Sequence, residues 1–343
     1  MGVKLGPLVP KKILTLEALR GRSFAVDAAN QLHQFLALIR TPQGVPLKDQ
    51  QGRVTSHLVG LLYRTTRLIT EYNMKLVFVF DGKPPELKSG EIEKRRSQRM
   101  KAEKEYHEAI ARGDMKAAWS KAVGTGRLTR EMAKEAQQVL HSMGIPYVQA
   151  PCEGEAQAAF MAQKGDVWAT ASRDFDTLLF GSPRLLRYLT ITGRKRLPSS
   201  GTTVPLEPEL IELHRVLAEH ELTREQLVDV ALLIGTDFHP GVPNIGPKTA
   251  LKLIHEHKSL ENLPATVQDK LPSNYVQIRE LFLNHPITQD YNLTPNPIDK
   301  EQLIAFLCDE RGFSRERVEN VLDRLMHVQK GQQQRSLDAW TGG

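Results

Sequence analysis

KLVFVFDGKPP, residues 75–85, is the stretch on which the reading of this chain turns. Its first half, KLVFVF, is a short apolar run rich in β-branched and aromatic residues, which suits a buried strand better than a helix. Asp81 stands at the end of that run, and Gly82-Lys83-Pro84-Pro85 then force a turn. The same pattern occurs earlier. FAVDA, residues 24–28, carries Asp27 at its end and leads into a helix near 29–40 whose Leu32, Phe35, Leu36 and Ile39 fall on one face. A further helix is expected near 55–72. IPYVQA (145–150) and VWATAS (167–172) add two strands, and LLRYLTI (185–191) with RKRLP (194–198) reads as a hairpin around Gly193. Residues 88–143 read as almost wholly helical, broken at Arg112-Gly113-Asp114 and at Gly124-Thr125-Gly126. Strands alternating with helices imply an α/β fold, a central, mostly parallel mixed sheet flanked by helices. Residues 1–331 are expected to form one domain, and QQQRSLDAWTGG (332–343) reads as a tail.

Five short motifs place seven acids: Asp27, Asp81, Glu153 and Glu155 in APCEGEAQAA, Asp174 and Asp176 in SRDFDTLL, and Asp237 in LIGTDF. Any one has an ordinary reading. Asp27 and Asp176 suit helix caps, and Asp81 suits a turn. As a set they sit at or just past strand ends or at helix starts, where open α/β sheets bind ligands. Glu153 and Glu155 would diverge on a regular helix, but in a first turn both can bend toward one site. So many carboxylates cannot share a pocket uncompensated. Hard oxygen donors without His or Cys fit Mg²⁺, with Mn²⁺ as a substitute, rather than Zn²⁺. Two such ions about 4 Å apart can activate water and stabilise the leaving oxygen of a phosphoryl displacement.

Three further segments point to an anionic polymer. Residues 83–104 are dense in Lys and Arg; Lys88 and Arg95 share a helical face that Arg99 continues. The ordinary alternative is a solvated helix, since Glu91, Glu93 and Glu103 are interspersed. LIGTDFHPGVPNIGPKTALKLIHEH (233–257) reads as helix, tight turn and helix, a helix–hairpin–helix-type element over about 225–258. Gly241 and Gly246 allow close backbone approach there. Pro247 suits a first helical turn, and Lys248 and Thr249 lie where helix amides can hold a phosphate without reading bases. In the tail, Gln334, Leu337 and Trp340 repeat at one-turn spacing and can present Leu337 and Trp340 as one anchor on a short helix.

The bulk figures agree. The 343 residues are 40% hydrophobic and 25% charged, an ordinary globular composition, and the net charge of +6 favours an anionic partner. Two cysteines, Cys152 and Cys308, exclude a disulfide framework and a Cys-rich zinc site. No apolar stretch is long enough for a membrane span, so no membrane partner is expected. The start MGVKLG lacks a signal-peptide pattern and, with Gly6 where Ser or Thr is needed, a myristoylation motif.

Taken together, VDA, TSHLVGLLYRT, VFVFDGKPPELKSGE, EGEAQAA, ASRDFDTLLFG, LIGTDF, NIGPKTALKLI, FLCDERGFSRERV and the tail resemble the flap endonucleases of the structure-specific 5′-nuclease family, over almost the whole chain. The resemblance implies a PIN-like 5′-nuclease fold with a helical arch, here about 83–128, above the active site. It implies cleavage of 5′ flaps, with an associated 5′–3′ exonuclease activity, in Okazaki-fragment maturation and base excision repair. It implies two Mg²⁺ ions held by Asp27, Asp81, Glu153, Glu155, Asp174, Asp176 and Asp237, directly or through water. Lys88 and Arg95 would contact the scissile phosphate, and the amine of Gly2, freed by Met removal, would lie near the site. Arg64, Arg99, Gly241, Gly246, Lys248 and Thr249 would contact DNA, with K⁺ at the duplex-binding turn. Thr55 and residues 41–57 would frame a one-nucleotide 3′ flap. Gln334, Leu337 and Trp340 would dock on a PCNA-type sliding clamp. A monomer is implied, cytoplasmic and nucleoid-associated if archaeal and nuclear if eukaryotic; the absence of a longer basic extension looks archaeal.

Three positions depart from the family pattern. His33 stands where a Tyr is usual and can still stack on a base. Asn244 replaces a Gly in the turn and tolerates left-handed geometry. Thr341 replaces a second aromatic in the tail, which predicts weak clamp binding. A bubble-cutting, exonucleolytic or junction-resolving relative is the alternative within the superfamily. A non-catalytic DNA–clamp adaptor is the alternative outside it, although it would need no set of seven acids.

Overall fold

The computed structural model describes residues 2–41, 44–114, 117, 127–190, 194–196 and 203–341. Its strands are β1 (Lys12–Ile13), β2 (Ser23–Asp27), β3 (Lys75–Phe80), β4 (Tyr147–Gln149), β5 (Ala169–Ala171), β6 (Arg184–Arg187), β7 (Arg194–Arg196), β8 (Thr203–Pro205) and β9 (Glu209–Glu212). Seven of them form one sheet in the order β1-β9-β6-β5-β2-β3-β4. The run from β6 to β4 is parallel, and β9 joins β6 and β1 antiparallel.

The central strands are apolar throughout because both faces are covered. Along β3, Phe78 and Phe80 pack into one buried cluster and Val77 and Val79 into another. The first is closed by α1 (Ala28–Leu38), α2 (Ser56–Tyr72) and α4 (Arg130–Ser142), the second by α5 (Gly154–Lys164). A third cluster lies under α8 (Arg224–Ile234), α9 (Pro247–His257) and α11 (Tyr275–Leu283). Between them fall α3 (Ser89–Ala111), α6 (Asp176–Leu179), α7 (Leu213–Glu219) and α10 (Ala265–Gln268), and α12 (Lys300–Ile304) precedes α13 (Arg315–Thr341). No helix among the described residues is long and apolar enough to cross a membrane.

Chain order reverses between β2 and β5. From β2 the sheet grows through β3 to β4 on one side, then resumes with β5 and β6 on the other. The crevice at such a reversal, at the carboxyl ends of the strands, is where this architecture binds ligands. Asp27 ends β2, Asp81 follows β3, and the 172–175 loop follows β5 and leads to Asp176 at the start of α6.

Two expectations need correction. The hairpin of 185–191 with 194–198 does not form. β6 enters the main sheet, where Leu185 and Leu186 are fully buried, and the charged β7 pairs instead with β8 as a separate ribbon. Leucines suit a strand covered on both faces, and Arg-Lys-Arg does not. The tail also differs: α13 continues as helix through Thr341 rather than ending near residue 331. The side chains of Gln334, Leu337 and Trp340 lie outside those described. The helical stretch 88–143 breaks after Ala111, where Gly113 takes a φ of +72°; the break at 124–126, and much of the far side of the expected arch, lie outside the described residues.

Candidate active site

Asp27 does two jobs with its two oxygens. Oδ1 accepts the Asn30 N–H at 3.0 Å and caps α1, and Oδ2 lies 3.1 Å from the Ser172 hydroxyl. Asp81 is fixed from α5: the Gly154 N–H donates to its Oδ1 at 2.7 Å. A Cβ at Gly154 would fall 2.9 Å from that oxygen, and a Cβ at Gly82 would fall 2.2 Å from the Ala150 carbonyl. Both glycines are therefore required by close approach.

Glu153 and Glu155 part company. Glu153 stands at the N-cap position of α5 without capping it, and turns to Lys88, whose Nζ lies 2.6 Å from its Oε2 and 3.6 Å from Asp237 Oδ2. Glu155 turns inward, where Oε1 accepts from Ser172 at 2.8 Å and Thr177 at 3.2 Å. Asp174 accepts from the Asn30 amide at 3.1 Å, and its own N–H donates to Ser172 Oγ at 3.2 Å. Asp176 accepts the Val3 N–H at 2.6 Å, and a Cβ on Gly2 would collide with the same carboxyl group. The start of the chain is thus laid against the site.

The electrostatics show what this crowding costs. Burial, then the charges of Asp81 and Asp174, push Asp27 up to about 7. Burial, then Asp237 and Asp174, push Asp176 up to about 7 as well. Glu155 is raised well above its ordinary value by burial and by Asp27, Asp174 and Asp176. Burial pulls the Lys88 ammonium down, but Glu153, with Asp237 and Asp81, outweighs it and holds the group firmly charged. Like charges desolvated together account for all three raised acids.

Among the described residues, no three His, Cys, Asp or Glu side chains already close around one point. Ser172 stands between Asp27 and Glu155, and Lys88 draws Glu153 aside. The donor set nonetheless fits a hard divalent cation: it is all oxygen, it runs from buried Asp27, Glu153 and Asp176 to exposed Asp81, and it carries an excess of negative charge.

The remaining candidates lie at the edge of this site or beyond it. Lys88 ends a short turn before α3, whose backbone carries Arg95 and Arg99; the side chains of those two lie outside the described ones. His33 is exposed on α1. Thr55 is only 5% exposed at the start of α2. Arg64 donates to the Thr190 carbonyl at 2.9 Å and stacks over Phe35. In the 235–246 connection, Gly235 and Gly241 take φ of +111° and +89°, each so close to the other's strand of the turn that a Cβ would clash with backbone. Asn244 takes φ +65°, the left-handed geometry expected of it. Gly246 differs: nothing among the described residues lies within 4 Å of a Cβ built there, and its φ is −96°. It leads into α9, with Pro247 at the first turn and Lys248 and Thr249 exposed.

Asn30, Ser172 and Thr177 were not among the sequence candidates. Each lies within three residues of a candidate acid, which is the signal that could have found them.

Known proteins match this chain in sequence and in fold. Residues 1–102 match the XPG N-terminal domain and residues 144–237 the XPG I-region. The flap endonuclease 1 of Hyperthermus butylicus is 49% identical over 99% of each chain, and that of Pyrococcus abyssi is 48% identical over 99% of this chain and 98% of its own. The structure of flap endonuclease-1 from Methanococcus jannaschii superposes with a TM-score of 0.76 at 36% identity, covering 96% of this chain and all of the other. The catalytic core of Rad2 in complex with DNA substrate shares the fold at a TM-score of 0.67 and 24% identity, covering 93% and 97% of the two chains. Matched end to end in sequence and fold, the chain belongs to the flap endonuclease family of XPG-type nucleases.

Proposed function

We propose that this flap endonuclease removes 5′ flaps from branched DNA by Mg²⁺-dependent phosphodiester hydrolysis, in replication and base excision repair, with an accompanying 5′–3′ exonuclease activity. The observation that carries the reading is the gathering of Asp27, Asp81, Glu155, Asp174 and Asp176 at the sheet's chain reversal, with Asp27, Glu155 and Asp176 raised by burial and by the charges of neighbouring acids. Two Mg²⁺ ions bound there would lower the pKa of an attacking water and stabilise the leaving oxygen. Asp27, Asp81, Glu153, Glu155, Asp174, Asp176 and Asp237 would hold them, directly or through water. Mn²⁺ would serve in their place.

Lys88 meets the phosphate from the arch side. Its ammonium, now on Glu153 and Asp237, can swing to the anionic oxygens that gain charge as the bond breaks. Arg95, about two turns on along α3, would add a second cation. Gly2, against Asp176, would bring the chain's free amine to the same place. Duplex DNA would lie on the α8–α9 turn. Gly246, Lys248 and Thr249 would present helix amides and small or cationic groups to a phosphate there, with K⁺ joining the contact. His33, Arg64 and Arg99 would meet the bent or single-stranded DNA, and the first turn of α2 at Thr55 would frame a one-nucleotide 3′ flap. The helical end of α13, through Leu337 and Trp340, would dock on a sliding clamp.

The test is a rate comparison on a double flap (a 5′ flap plus a one-nucleotide 3′ flap), a bubble and a four-way junction. Fastest cleavage one nucleotide into the downstream duplex of the flap is expected. Preference for the bubble or junction would keep the metal site and reassign the substrate.

A further inference from the structure

The N-terminal turn of α5 carries Glu153 and Glu155, and it is held from behind by a segment far away in sequence. The Glu153 N–H donates to His285 Nε2 at 3.3 Å. One turn further along α5, the buried Gln157 exchanges two hydrogen bonds with Thr288: Nε2 donates to the Thr288 carbonyl at 2.9 Å, and the Thr288 N–H donates to Oε1 at 2.8 Å. Residues 285–288 therefore form a strap along the first two turns of α5.

The strap is itself anchored. Arg224 Nη2 donates to the Leu283 carbonyl at 2.8 Å, just before His285. The His285 ring packs edge-on against Phe180, with centroids 4.9 Å apart. Its Nδ1 lies 3.0 Å from the Leu281 carbonyl, so that nitrogen carries the proton, and Nε2 is left bare to accept. A helix N-terminus has orphan N–H groups, and Glu153, the capping residue, makes no side-chain cap of its own because its carboxylate is engaged by Lys88.

We propose that His285 is a positioning residue for divalent-ion binding. By accepting the Glu153 N–H, it fixes the turn from which Glu153 and Glu155 reach the ions, while touching neither DNA nor metal. The inference rests on the two-metal reading above. A partner of this kind typically alters metal affinity by tenfold or more.

The experiment is single-turnover cleavage of the double flap under Mg²⁺ titration, with DNA affinity measured separately in EDTA. His285→Leu, which keeps bulk and loses the acceptor, is expected to raise the half-saturating Mg²⁺ concentration about tenfold, with DNA affinity unchanged. His285→Gln, whose amide oxygen can stand where Nε2 stands, is expected to restore most of the loss. Thermal unfolding shows whether His285→Leu folds; if it does not, His285→Asn, too short to reach Glu153, should show the same shift. A normal Mg²⁺ requirement in the acceptor-less variant overturns the proposal. So does a Gln variant as impaired as Leu, which would assign the effect to packing on Phe180. Asp174→Asn, run alongside, separates the two layers: if it still cleaves, the metal reading fails, whereas if it is inactive while His285→Leu is normal, only the role of His285 fails.

Discussion

Two clusters of carboxylates in this molecule, each built around buried aspartates, have opposite arrangements. Under the third core cluster, Asp229 on α8 is 1% exposed, and Arg279 of α11 meets it at 2.7 Å while reaching Glu261 at 2.8 Å. Burial outweighs the pull of the Arg279 charge and leaves Asp229 at about 6, while hydrogen bonds from Arg279 hold Glu261 at about 2. The chain supplies that cluster's counter-charge. At the sheet's chain reversal, Asp27, Glu155 and Asp176 sit together and are all held above their ordinary values by burial and neighbouring acids. A protein that neutralises its own buried acids uses them for structure. One that leaves them in excess has kept a place for a cation from outside.

The contrast breaks most visibly under a single type of substitution. Asp174→Asn or Asp176→Asn is expected to lower single-turnover cleavage by about a thousandfold or more while DNA binding persists. Full activity in both would remove the metal assignment. Asp176→Asn should also raise the melting temperature in EDTA at alkaline pH, because one repelling charge is gone. The pH dependence sharpens the same point. Asp27 and Asp176 are raised in the folded state, so the stability they contribute is complete below their ordinary value of 3.8 and is lost as pH rises through about 7. Thermal unfolding in EDTA should thus show stability draining over that window, and added Mg²⁺ should recover more of it above pH 7 than below. At the other cluster the sign reverses: Asp229→Ala takes from the Arg279 guanidinium its buried partner, leaving only the more exposed Glu261, and should cost about 3 kcal/mol in urea unfolding. Lys88→Ala should slow the chemical step about a hundredfold with little change in DNA affinity; a pure affinity loss would place Lys88 outside the chemistry. The smallest effect belongs to the duplex turn, where Asn244→Ala puts a less tolerant residue at φ +65° and should cost about 1 kcal/mol by thermal melting.

Much of this was legible in the sequence because the signals are local. An apolar run followed by an acid gave β2 with Asp27 and β3 with Asp81, and the alternation along β3 explains why the run is apolar on both faces. Asn244 could be read because left-handed geometry depends on the residue itself. What was missed depends on tertiary partners. Strand β6 lies between β5 and β9, neither adjacent to its supposed hairpin partner. His285 meets Glu153 across 132 positions with no motif around it. The divergence of Glu153 from Glu155 is decided by Lys88 and Ser172, which approach from different elements. Continuation of α13 to Thr341 is equally hidden, since QQQRSLDAWTGG shows no periodic core face.

The most direct measurement is cleavage of an end-labelled double-flap DNA in Mg²⁺ and in EDTA. The account predicts a Mg²⁺-dependent cut one nucleotide into the downstream duplex and none in EDTA. Cleavage that persists in EDTA, or no cleavage of the flap in Mg²⁺, would contradict it.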